Sequence, residues 1–217
     1  MKRRAFSAAT LAGCLGGTAL VAPPARAQGG DQPVEGTHYV RLTPPAPTGA
    51  PGKIEVLEFF WYGCPHCNAF EPRLQAWVKK QPADVAFKRV PVAFRDEFVP
   101  QQRLYYALEA MGKVEQLHAK VFEAVHVNHE PTNREDLILA WAGKQGLDTA
   151  KFKELYDSFA VSTKARRATQ LQDAFKVQGV PAIGVAGRYY TDATLSGSMD
   201  RALQVTDYLI AEARKAG

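Results

Sequence analysis

The stretch Glu58-Phe59-Phe60-Trp61-Tyr62-Gly63 is an apolar run that ends on a glycine and leads straight into Cys64-Pro65-His66-Cys67. Upstream, residues 53–61 alternate as a β-strand. Ile54, Val56, Glu58 and Phe60 fall on one face, and Glu55, Leu57, Phe59 and Trp61 on the other. A strand that is apolar on both faces suits the middle of a sheet. Downstream, Pro65 stands in the first helical turn, where proline is best tolerated. Phe70, Leu74 and Trp77-Val78 then continue at helical spacing to about residue 80. Pro72 inside that pattern predicts a kink. Residues 83–92 read as the next strand, which makes a βαβ unit with both cysteines at its first βα junction. A C-x-x-C pair in that setting is a thiol–disulfide redox centre.

The chain has three cysteines, and the third, Cys14, falls in a segment with the plan of a secretory leader. Lys2, Arg3 and Arg4 form a basic start, residues 8–22 are apolar and small, and Ala25-Arg26-Ala27 is an A-x-A cleavage signal. Residues 1–27 are therefore read as a signal peptide cut after Ala27. Leu11-Ala12-Gly13-Cys14 resembles a lipoprotein box, but the apolar run before Cys14 is very short and an A-x-A site follows it. Arg3-Arg4 resembles a twin-arginine signal, against the plainer reading of an ordinary basic start. Removing the leader takes away Lys2, Arg3, Arg4 and Arg26, four of the five net positive charges, and leaves +1. That charge gives no footprint for nucleic acid. Export implies an oxidising space such as the periplasm, in which Cys64 and Cys67 are the two cysteines left.

Residues 28–52 are rich in Gly, Pro and Gln and read as an arm with one short edge strand at Tyr39-Val40-Arg41-Leu42. From 95 to 175 the pattern turns helical, with stripes at Leu104/Leu108/Met111, Leu117/Val121/Val125, Leu137/Ala140/Trp141, Phe152/Leu155/Tyr156/Phe159 and Leu171/Phe175. Asn133 and Asp148 are expected N-caps, and Gly146 and Gly179 expected helix stops. Val180-Pro181 then precedes a hairpin, residues 182–186 and 189–191 around a Gly187-Arg188 turn. An amphipathic helix over 198–216 closes the chain.

The order strand, C-x-x-C helix, strand, helical block, X-Pro, hairpin, helix resembles a thioredoxin-like fold. It is an α/β arrangement with a central mixed sheet over 53–94 and 176–217 and an all-helical insertion at 95–175. Cys64-Pro65-His66-Cys67, with Glu58-Phe59-Phe60 before it and Gly179-Val180-Pro181 after, resembles the DsbA-type periplasmic thiol oxidases. The resemblance implies a dithiol oxidase whose Cys64–Cys67 disulfide is its own redox group, with no separate cofactor. It also implies donation to reduced exported proteins and reoxidation by a DsbB-type membrane quinone reductase. Val180-Pro181 would carry a cis bond beside the cysteines, and the Val180 backbone would pair with an extended substrate by strand addition.

Cys64 at a helix N-terminus gains about 0.3–1 kcal/mol as a thiolate when exposed and ~2 when partly buried. Each tenfold gain in acidity needs ~1.4 kcal/mol, so a strongly acidic thiol needs further donors. His66 is the expected one, Pro65 fixes the turn, and Cys67, a turn inward, is the resolving thiol. Glu58 and Lys88 each place a charge on an otherwise apolar strand face. Buried charges are costly unless paired, so a Glu58–Lys88 pair beneath the redox helix is expected, either as a structural ion pair or as a proton relay for Cys67. Glu71 matches an acidic position after C-P-H-C in the resembled family; its plain reading is a solvated helix residue.

His126 and His129 lack a third ligand and two cysteines cannot complete a zinc site, so no metal is expected. Other activities are open on this scaffold. An isomerase or reductase would use the same dithiol, but the known dimeric isomerases carry a dimerisation domain that residues 28–52 are too short to supply, so a monomer is expected. A peptide-binding chaperone would not need both cysteines, and a glutathione-dependent transferase would rarely keep them.

Overall fold

The computed structural model describes residues 32–216. The leader, its cleavage site, Cys14 and the start of the arm lie outside the described residues. Five strands form one mixed sheet: β1 (Val40–Arg41), β2 (Ile54–Phe60), β3 (Val85–Pro91), β4 (Ala182–Val185) and β5 (Tyr189–Asp192). Their order is β1-β5-β4-β2-β3. β2 is an interior strand next to the edge strand β3, parallel to β3 and antiparallel to the middle strand β4. The helix between β2 and β3, α1 (Pro65–Val78), completes the βαβ unit and runs through Pro72. Val40–Arg41 pairs with Tyr189–Tyr190 at the sheet edge, within the stretch expected there.

The alternation along β2 decides what covers each face. Val56 packs with Phe70, Leu74 and Trp77 of α1, and with Val205, Leu209 and Ile210 of α8 (Met199–Lys215). Leu57 and Phe59 look the other way, where the Phe59 and Phe175 rings lie 5.1 Å apart. On that side lies the helical block: α2 (Val99–Ala110), α3 (Val114–His126), α4 (Glu135–Lys144), α5 (Thr149–Asp157) and α6 (Phe159–Ala174). Its core is continuous with the Leu57/Phe59 face through Leu104, Leu108, Val121 and Phe152. Burying one such side chain contributes about 1.5–3 kcal/mol, so the block and the sheet stabilise each other. A single turn, α7 (Ala193–Ser196), joins β5 to α8.

Several boundaries differ from the sequence expectation. Asp148 does cap α5, accepting from the Lys151 N–H, but α4 begins at Glu135 without a side-chain cap, so Asn133 has no such role. The chain leaves α6 through Lys176, with φ of 55°, before Gly179 is reached. Phe159 is 80% exposed because Ser158 ends α5 and caps α6, so Phe159 starts a new helix and does not extend the α5 stripe. In α4 Trp141 is buried as expected, but its buried neighbours are Ile138 and Ala142, while Leu137 is half-buried and Ala140 exposed. The hairpin turn is centred on Ala186-Gly187, with φ of 52° and 64°, and is closed by Arg188 N–H donating to Val185 O at 2.9 Å. Two left-handed residues match the type I′ turn that fits strand twist. A Cβ at Gly187 would lie 2.3 Å from Ala46 O, so only glycine fits there.

Candidate active site

The end of β2 aims the dithiol. Tyr62-Gly63 turns the chain, the Cys64 N–H donates to Trp61 O at 3.0 Å, and Cys64 takes the N-cap position in an extended conformation. Pro65 then occupies the first helical turn, and Cys67 lies on the buried side of α1 with Phe70, Glu71 and Leu74. Both cysteines are free thiols. Cys64 is nearly buried and Cys67 completely so. The Val180–Pro181 bond is cis, and Val180 O lies 3.4 Å from Cys64 Sγ.

The two thiols are driven apart electrostatically. Cys64 is lowered to about 6, first by a hydrogen bond from the Cys67 side chain, against the opposing effect of burial. The Cys67 and His66 backbone N–H groups and the His66 charge add to the lowering. Cys67 is pushed far above the ordinary thiol range, first by burial and then by its role as donor to Cys64. At neutral pH the pair is therefore a Cys64 thiolate held by a Cys67 thiol. His66 contributes, but the resolving cysteine contributes most. The His66 side chain is exposed and lines a groove of about 1040 Å³ with Phe70, Val180, Pro181, Leu195 and Met199.

Beneath Cys67 the expected Glu58–Lys88 pair does not form. The parallel register sets Glu58 opposite Arg89 and Leu57 opposite Lys88. Lys88 therefore lies on the other face of the sheet, its side chain 46% exposed, bonded to Glu55 Oε1 at 2.7 Å and Gly49 O at 2.8 Å. Arg89 is the buried cation. Its Nη2 donates to Glu71 Oε1 at 2.7 Å, and its Nε lies 3.1 Å from Glu58 Oε2, in ion-pair contact without hydrogen-bond alignment. Glu71 is buried, not solvated, because it follows Cys67 by one helical turn on the inner side of α1.

Two carboxylates against one guanidinium would leave a net negative charge in a dry site, which such sites avoid by keeping a proton. The proton settles on Glu58, raised to about 8 first by burial and then by repulsion from Glu71, despite Arg89. For Glu71 burial also pushes upward, but His118, Arg89 and Gln75 together outweigh it and hold the carboxyl below its ordinary value. Gln75 Nε2 donates to Glu71 Oε1 at 2.8 Å.

Arg89, Tyr62 and His118 belong to this network and escape a reading of the sequence. Tyr62 O–H contacts His118 Nδ1 at 2.9 Å, and His118 Nε2 lies 3.5 Å from Glu71 Oε2. His118 carried a signal, since it stands in the inward stripe of α3 one residue after Leu117 and four before Phe122. His126 Nε2 donates to Tyr62 O at 2.8 Å.

A sequence profile of the DSBA-like thioredoxin domain matches residues 55–205. The thiol:disulfide interchange protein DsbA of Bordetella pertussis is 44% identical over 216 residues, covering 99% of this chain and 100% of that protein. The protein of the same name from Pseudomonas aeruginosa is 40% identical over 186 residues, covering 86% of this chain and 88% of its own. The crystal structure of Pseudomonas aeruginosa DsbA superposes with a TM-score of 0.81 at 40% identity, over 84% of this chain and 95% of that one. Because these matches take in the sheet, the helical block and both cysteines together, the chain belongs to the DSBA-like thioredoxin family and is a thiol:disulfide oxidoreductase.

Proposed function

We propose that the protein works as a dithiol oxidase, donating the Cys64–Cys67 disulfide to reduced proteins exported to the periplasm. A substrate thiolate attacks Cys64 Sγ, forming a mixed disulfide and expelling Cys67 as a thiolate, which takes a proton from Glu58. A second substrate thiolate then attacks the substrate sulfur of the mixed disulfide and expels Cys64 as a thiolate. Two electrons and one disulfide have changed hands, and the enzyme holds the dithiol. An extended substrate segment in the groove pairs with the Gly179-Val180 backbone, next to the attacked sulfur. A DsbB-type quinone-linked membrane protein returns the dithiol to the disulfide. The enzyme acts as a monomer, without a bound cofactor, after removal of residues 1–27.

The single observation that carries this reading is the placement of Cys64 at the N-cap of α1, with Val180 O of the cis Val180–Pro181 segment 3.4 Å from its sulfur. A thiol at about 6 instead of its ordinary 9 favours the reduced form at pH 7 by ~1.4 kcal/mol. That corresponds to ~30 mV of added oxidising power. The sign favours an oxidase, and the size says that ionisation is one contribution among several.

The redox equilibrium with glutathione tests the proposal, beside turnover of a reduced two-cysteine peptide. An oxidising equilibrium is expected, with peptide oxidation abolished in Cys64→Ser while the fold persists. A reducing, thioredoxin-like equilibrium, or oxidation retained without Cys64, would refute it.

A further inference from the structure

His118 is a titratable side chain buried in the core, and the exchange of sulfur atoms makes no use of it. It is 1% exposed and enclosed by aromatic rings, with the centroids of Phe60, Tyr62, Phe122 and Tyr105 at 5.1, 5.2, 5.2 and 6.0 Å. An apolar residue would fill that space at lower cost, since a buried polar group is expensive unless bonded. Its neighbours fix its chemistry. Glu71 is an ionised acceptor, so the Nε2 facing it across 3.5 Å bears the hydrogen. Nδ1 then holds a lone pair and accepts from the Tyr62 hydroxyl at 2.9 Å. The gap between Nε2 and Glu71 Oε2 is too long for a strong hydrogen bond and too short to hold a water. Neither atom has another hydrogen-bond partner among the described residues.

We propose that His118 is a positioning residue for the redox reaction: held by Tyr62 in its Nε2–H form, it keeps Glu71 ionised on Arg89, so that the one proton shared by the two carboxylates resides on Glu58. Both carboxyls are buried beside one guanidinium, which donates to Glu71 at 2.7 Å and lies 3.1 Å from Glu58 without hydrogen-bond alignment. Gln75 adds a second donor on Glu71 Oε1, and His118 faces the other oxygen, Oε2, which has no other partner among the described residues. The groups around Glu58 are Arg89 from β3, Glu71 and Cys67 from α1, Tyr62 from the turn after β2, and Tyr105 from α2. Those around His118 are Glu71, Arg89, Tyr62, Tyr105 and, on its own helix, Glu115. Burial, assisted by Arg89, lowers His118 below its ordinary value, in keeping with a neutral donor.

The inference rests on proton exchange between Glu58 and Cys67, and its test separates the two. Carbon-13 carboxyl titration of the oxidised full-length enzyme reads Glu58 and Glu71 individually, and the pH profile of Cys67-dependent mixed-disulfide resolution reads the chemistry. In His118→Phe, which suits the aromatic cage, Glu71 should gain proton occupancy. Glu58, relieved of its charged neighbour, should then titrate about one pH unit or more lower, a tenfold change in acidity. His118→Gln, which restores an N–H donor, should return both midpoints toward wild type. Glu71→Gln should lower Glu58 in the same way, and adding His118→Phe to it should move Glu58 no further. That double variant also separates positioning from loss of packing. If Glu58 keeps its wild-type midpoint in His118→Phe, or in Glu71→Gln should His118→Phe not fold, the proposal is overturned. If Glu58 moves as stated while the pH profile of resolution stays put, His118 has its role and it is the Glu58–Cys67 exchange that fails.

Discussion

Arg89 stands directly opposite Glu58 in the parallel β2–β3 ladder, with Nε 3.1 Å from Oε2, and both side chains are almost wholly removed from solvent. Lys88, one residue earlier, holds Glu55 at 2.7 Å on the opposite face, where the ammonium is half exposed but the Glu55 carboxylate is buried. The acids of both pairs are buried, but water reaches the Lys88 ammonium and hardly reaches Arg89, and Glu55 also accepts from the Gly49 N–H at 3.1 Å, so the energies should differ. An exposed pair contributes about 0–1 kcal/mol. Removing one partner of a buried pair costs about 3–5 kcal/mol, because the remaining charge is left without compensation.

Arg89→Met should therefore destabilise the protein by about 3–5 kcal/mol and alter the pH dependence of exchange at Cys67. Lys88→Ala should lose less, because the Gly49 N–H still serves Glu55, and should leave that exchange unchanged. Denaturant midpoints of both variants in both redox forms provide the comparison, and equal losses would remove Arg89 from its place at the centre of the site.

This contrast also shows how far the sequence could be read. Alternation along residues 53–61 put Glu58 on a buried face, and the spacing of Cys64 and Cys67 announced the chemistry. On β3 the alternation singled out Lys88, whose face carries Ala86, Val90 and Val92, and passed over Arg89 beside it. The choice depends on strand register, and a slip of one residue exchanges the faces. Glu71 could be read as solvated because Glu is common on exposed helix faces, although Cys67, Glu71 and Leu74 lie on one side of α1. His118 meets Glu71 only through tertiary packing of α3 against α1, and no local pattern encodes that. The hairpin was legible as a hairpin, but its left-handed residues begin at Ala186, where glycine rules gave no signal.

Stability should depend on pH through Glu58. Its folded carboxyl is raised from its ordinary 4.5 to about 8, so between these values the native state binds a proton that the unfolded chain has lost. The contribution is fully present below pH 4.5 and is lost as pH rises to 8, with a limiting slope of ~1.4 kcal/mol per pH unit. Cys64 acts in the opposite sense in the reduced protein alone, adding stability between about 6 and its ordinary 9. The oxidised protein should thus lose stability across pH 5–8 more steeply than the reduced one. Glu58→Gln should flatten that loss, and a wild-type slope in Glu58→Gln would assign the dependence to another group.

The thiolate itself distinguishes the contributions of its neighbours. The Cys67 side chain is the foremost cause of the low Cys64 value, and the charge of the exposed His66 ring comes after the backbone N–H groups. Losing a hydrogen bond to a charged group costs about 1.5–3 kcal/mol, and one tenfold step in acidity is ~1.4 kcal/mol. Cys67→Ala should accordingly raise the Cys64 midpoint by about one to two pH units. His66→Ala keeps the backbone N–H and removes only the ring, so it should raise the midpoint less, while still making the enzyme a weaker oxidant against glutathione. Titrating the ultraviolet absorbance of the Cys64 thiolate in both variants measures the two effects directly. A larger rise in His66→Ala than in Cys67→Ala would reverse the ranking and make the histidine, not the resolving thiol, the principal support of the anion.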